Sequence, residues 1–126
     1  MRMISFALAA AIASLASGAH ADNQACLSSG GDWKATGSVE TVLSMTQFQS
    51  WSVDFTAPVV AERMVPPTPM NPAAKGDCMV KSAGGLGSLP DGCKKGSSAT
   101  ATGRLSFDNK GFGIVNVAKA ANISCQ

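Results

Sequence analysis

The side chains able to do chemistry in this sequence are few, and their types restrict the reactions open to it. His20 is the only histidine, and there is no tyrosine. His20 lies in a stretch with the marks of an export leader, so cleavage of that leader leaves no imidazole. Ser-His-Asp and Cys-His catalysis and imidazole-bound metals are then excluded. The remaining acids and bases are Asp22, Asp32, Glu40, Asp54, Glu62, Asp77, Asp91, Asp108 and the lysines. A carboxylate pair could hydrolyse a glycosidic bond. Glu40 and Asp54, however, alternate with apolar neighbours as solvated residues on a strand do. Asp91, Asp108 and Asn109 sit in turn-like segments and offer oxygen ligands, but the D-x-D-x-D-G series of a calcium loop is missing. Gly87 and Gly92 have the spacing of a phosphate loop, with Cys93 where the lysine should be. A Ser-Lys dyad is allowed by composition and marked by no motif. The chain reads as a non-enzyme with no cofactor and no metal.

Cys26, Cys78, Cys93 and Cys125 are the other reactive set. No C-x2-C pair is present to form a zinc knuckle, and an even number of cysteines in a small exported chain implies two disulfides. Three connectivities are open. The nested one is expected, with Cys78 joined to Cys93 around a Gly/Pro loop and Cys26 joined to Cys125 to tie the ends of the mature chain.

The export reading rests on Arg2, the apolar run 4–15 and Ala19-His20-Ala21, which place cleavage after Ala21. Residues 1–21 are then the signal peptide and residues 22–126 a single domain. Ser14, Ser17 and Gly18 interrupt the apolar run before it reaches membrane-spanning length, and no transmembrane segment is expected in the mature chain. Cys26 is too far from the apolar run for a lipid anchor. A short alanine-rich leader is of bacterial type, which points to the periplasm or the cell exterior. The formal net charge is +2. Lys94-Lys95 is the only adjacent basic pair, so nothing marks a nucleic-acid binder.

The elements that must position these residues read as short strands. Residues 33–43 are rich in Val and Thr, with Val39, Thr41 and Leu43 on one side and Glu40 and Val42 on the other. Trp51, Val53 and Phe55 alternate with Ser50, Ser52 and Asp54, which makes them core residues of a half-buried strand. Trp33, beside Gly31 and Asp32 at a strand start, is expected to be partly exposed. Pro58 marks a break, and 59–65 reads as further strand or one helical turn. Pro66, Pro67, Pro69 and Pro72 make 65–72 an exposed connector; their P-x-x-P spacing also suits a polyproline ligand. Residues 78–81 form a short strand, and 82–92 reads as turns throughout. Ala101, Gly103, Leu105 and Phe107 alternate with polar residues, and Asp108-Asn109-Lys110-Gly111 turns the chain into a hairpin. Residues 118–121 start a short helix, and Asn122-Ile123-Ser124 matches a glycosylation sequon by chance.

These features predict an all-β fold, a small antiparallel sandwich or barrel with two disulfides. The function expected is that of an exported binding or surface-interaction domain with a protein, glycan or lipid partner. Leu86 and Leu89, in the loop expected to be closed by Cys78 and Cys93, are the candidate contact residues. Alternatives are an inhibitor of a hydrolase such as lysozyme or a protease, with that ring as a rigid wedge, and a fimbrial or matrix subunit. For the last, only 22–25 precede Cys26 as a donor arm, which is too short if Cys26 is bridged.

Overall fold

The computed structural model describes Cys26, residues 31–70, residue 72 and residues 76–126. The expected signal peptide lies outside them. The described strands are β1 (Trp33–Met45), β2 (Ser50–Val60), β3 (Glu62–Arg63), β4 (Met79–Leu86), β5 (Ser98–Phe107), β6 (Gly113–Val117) and β7 (Ile123–Cys125). One 3-10 turn, Ala120–Asn122, precedes β7 where a short helix was expected.

Hydrogen bonding runs in the order β1-β2-β4-β6-β5, and β5 pairs back onto β1 to close a five-strand barrel. β3 and β7 extend it as short additions to β1 and β5. The sheet is not wholly antiparallel as expected, because β4 and β6 run parallel. The connection after β4 carries the chain past one strand position, β5 closes on β1, and β6 fills the gap beside β4. A meander of three strands followed by this crossover is the Greek-key connectivity of an OB-type barrel.

A single strand, β1, serves both halves of the barrel. Its first part, from Trp33 to Ser38, pairs with β5, and from Val39 onward it pairs with β2. The register shifts between Val39 and Thr41, so Glu40 is an extra residue in the ladder. Such a bulge bends a strand and resets its alternation. Val39 is therefore buried and Val42 packs on the core, whereas Thr41 and Leu43 face outward. The expected shared face of Val39, Thr41 and Leu43 is corrected by that one residue. Pro58 sits inside β2 rather than ending it, at a second irregularity, where the pairing with β4 breaks between Asp54 and Val59. A bulge is where a sheet accepts a residue without an N–H to donate.

The core is built as the alternation requires, from Trp51, Val53 and Phe55 on β2, Val80 and Ala83 on β4, Ala99 and Ala101 on β5, and Val115 and Val117 on β6. Trp33 belongs to it too: both tryptophans are 5% exposed, so the expected partial exposure of Trp33 is not found. Residues 82–86, expected as turns, are strand. Their glycines serve packing: Gly85 lies opposite Trp51, and a Cβ there would stand 2.9 Å from the indole Cζ2. The β5–β6 hairpin forms as expected. The Asp108 Oδ1 accepts the Lys110 and Phe112 N–H groups at 2.8 and 3.0 Å, and Gly111 has φ 87°.

All four cysteines are in disulfides, but not in the nested pairs. Cys26 joins Cys78 and Cys93 joins Cys125. The cause is β4 itself. Cys78 directly precedes its 8 residues, which carry the chain about 25 Å away at roughly 3.3 Å per residue before residues 87–92 lead on to Cys93. A disulfide needs Cα atoms within about 7 Å. β7 then pairs Cys125 with Ala99 and delivers it to Cys93, 5.0 Å away between Cα atoms.

Candidate functional site

Consecutive outward positions on β1, β2 and β4 form a polar floor. Thr41 pairs with Asp54, and Asp54 pairs with Ser82. Beside Ser82 the β4–β6 register shifts, so Lys81 is an extra residue in that ladder and is exposed on the surface. The β5–β6 turn stands over the same area as a wall. Together they enclose a groove of about 520 Å³, lined by Glu40, Thr41, Asp54, Phe55, Thr56, Lys81, Ser82, Asp108, Asn109, Lys110 and Phe112.

The wall is held in shape by its own bonds. Besides the two N–H groups on the Asp108 carboxylate, the Asp108 N–H donates to the Phe112 carbonyl at 2.9 Å. The N–H of Phe112 above all, and those of Lys110 and Gly111 with the nearby Lys110 charge, hold the Asp108 pKa below its ordinary value of 3.8, against the opposing effect of desolvation. That shift is opposite to the one a general acid needs. Phe112 is half-buried, with the Lys81 ammonium 5.4 Å from its ring centroid, a cation–π approach that fixes both sides of the groove mouth. At the floor, the Thr56 hydroxyl donates to the Ser38 carbonyl at 3.2 Å. Glu40 reaches Lys95 at 3.7 Å, an exposed pair of small energetic weight.

Three carboxylates and two ammonium groups thus face one concavity, interleaved with hydroxyls and an amide. Glu40 and Asp54 are exposed, as their alternation implied; what sequence reasoning missed is that they meet the Asp108 turn and Phe112. The signal was present only in part, since the outward phase of Asp54 is readable while its distance in space from residue 108 depends on the strand order β2-β4-β6.

The expected contact pair separates. Leu86 ends β4 and is 85% exposed, whereas Leu89 packs against the core. Neither lies in a ring closed by Cys78 and Cys93, because that ring does not form. The wedge imagined for a hydrolase inhibitor loses its scaffold with it. The 22–25 arm named for a fimbrial donor strand lies outside the described residues.

Comparison of the chain with protein-family models, with curated proteins and with solved structures finds no significant match.

Proposed function

We propose that this protein is an exported, non-enzymatic binding domain whose ligand is a neutral glycan held in the groove between the β1–β2–β4 face and the β5–β6 turn. The observation that carries the reading is the mixed polarity of that groove. A polyhydroxylated ligand needs acceptors and donors side by side, and Asp54, Glu40 and Asp108 supply the first while Lys81, Lys110 and Asn109 supply the second. Phe112 offers the apolar surface on which the C–H face of a sugar ring can rest. The volume falls within the usual range of ligand sites, about 300–1,000 Å³. A nucleic-acid backbone would meet more carboxylates than ammonium groups there, which disfavours it. OB-type barrels also place oligosaccharide and oligonucleotide ligands on this face, an analogy at the level of fold alone.

The leader and the two disulfides support an oxidising location, the periplasm or the cell exterior. The experiment is a 15N-HSQC titration of the mature oxidised protein with tetrasaccharides of glucose, mannose and N-acetylglucosamine. Saturable shifts at Asp54, Ser82, Asn109 and Phe112 are expected for at least one, and Asp54→Ala weakens that binding about 10-fold, as for a hydrogen bond to a charged group. Absence of saturable shifts in these residues at about 10 mM of every sugar, well above a Kd of about 1 mM, overturns the reading.

A further inference from the structure

A second concavity lies where β4 and β6 end. It has a volume of about 290 Å³, and its lining includes Trp51, Leu86, Pro90, Val117 and Ile123. Lys119 is the only charged residue among the lining side chains. A neighbouring hollow shares Gly87 and Ser88 with it and is lined by Ser44, Met45, Thr46 and Gln49, again without a charge. The same end of the barrel carries Met45, Phe48 and Leu86 exposed at 39, 66 and 85%. Apolar walls, one cation at the rim and an uncovered leucine on the lip form a setting for an amphiphile. The glycan groove differs in being lined by three carboxylates.

We infer that this pocket binds a medium-chain monocarboxylate, with the alkyl chain against Trp51, Val117 and Leu86 and the carboxylate at the Lys119 ammonium. The alkyl part follows from the lining, since transfer of each methylene from water to an apolar wall is favourable. The charge follows from Lys119, which has no carboxylate neighbour in the lining and would repel a cationic head. The modest volume, about 290 Å³, suits a chain of medium length such as octanoate rather than a long-chain fatty acid. This inference is independent of the proposed glycan site and shares no residue with it.

The test is a titration of the oxidised protein with sodium octanoate, read by tryptophan emission in a Trp33→Phe background so that Trp51 alone reports. The methyl resonances of Val117 and Ile123 in the unsubstituted protein give the same readout if that background melts early. A saturable change with a Kd of about 1 mM or tighter is expected. Lys119→Ala should weaken octanoate about 2- to 5-fold, the range for an exposed ion pair, and leave 1-octanol unchanged. Leu86→Ser should weaken both, and Asp54→Ala neither. The inference is overturned by the lack of a saturable change at about 10 mM octanoate, by equal binding of octylammonium, or by a Lys119→Ala protein that binds octanoate as tightly as the parent.

Discussion

Gly85→Ala isolates the packing on which both the β4 strand and the end pocket depend. Ordinarily a Gly→Ala change in a strand stabilises by about 0.4–1 kcal/mol through the unfolded chain. Here the added Cβ would stand 2.9 Å from Trp51 Cζ2, 3.1 Å from its Cε2 and 2.9 Å from the Val117 carbonyl oxygen. Carbon atoms pack best at about 3.5–4.0 Å, so the methyl needs more than half an ångström that neither neighbour can readily yield. The indole is 5% exposed, and Val117 is held in β6 against β4. Overpacking of this kind costs about 1–3 kcal/mol. A net loss of about 2 kcal/mol is expected, or about 8–16 °C in Tm for a domain of this size. Urea unfolding followed by far-UV circular dichroism measures it, with Trp51→Leu and the double variant completing a cycle. Removing the indole should relieve at least about 1 kcal/mol of the cost, as residues in contact couple. A Gly85→Ala protein as stable as the parent, or one whose penalty persists unchanged in the Trp51→Leu background, would refute the role assigned to Gly85 as the seat of the indole.

The remaining expectations follow from the same packing. Trp33→Ala should destabilise by about 3–5 kcal/mol, matching Trp51→Ala, as measured by denaturant unfolding; a loss under 1 kcal/mol would place Trp33 outside the core. Peptide mapping without reduction should recover Cys26 linked to Cys78 and Cys93 linked to Cys125. Replacing the second pair by alanines should cost about 3–4 kcal/mol on the loop-entropy model. Leu89→Ser should lower Tm while Leu86→Ser leaves it within about 2 °C, since surface substitutions stay within about 0.5 kcal/mol. Because the folded state lowers the Asp108 pKa, its contribution to stability is present above the ordinary value of 3.8 and fades as pH falls through the lower folded value. Acid unfolding of Asp108→Asn should lack that component, and an Asp108 carboxyl resonance titrating at or above 3.8 would contradict the turn geometry.

Much of the fold is legible along the chain because local alternation is a local property. The phase of Trp51, Val53 and Phe55, the hairpin at Asp108-Gly111 and the β class itself each depend on a few adjacent residues and emerge from them directly. The even cysteine count likewise implied two bridges. Errors arose where a distant neighbour decides the conformation. The Gly-rich run 82–86 looks like turns until Trp51 is laid across it, and then glycine is the residue that lets a strand lie under an indole. The bulge at Glu40 has no mark in the sequence, yet it exchanges the inner and outer faces of the rest of β1. The pairing of the cysteines depends on β4 being a strand, and the meeting of Asp54 with Asp108 depends on the strand order β2-β4-β6. The sequence by itself determined which residues were apolar, turn-forming or cross-linked. Only the tertiary structure decided which surfaces they share, because barrel closure brings together residues more than fifty positions apart, and no local pattern records that distance.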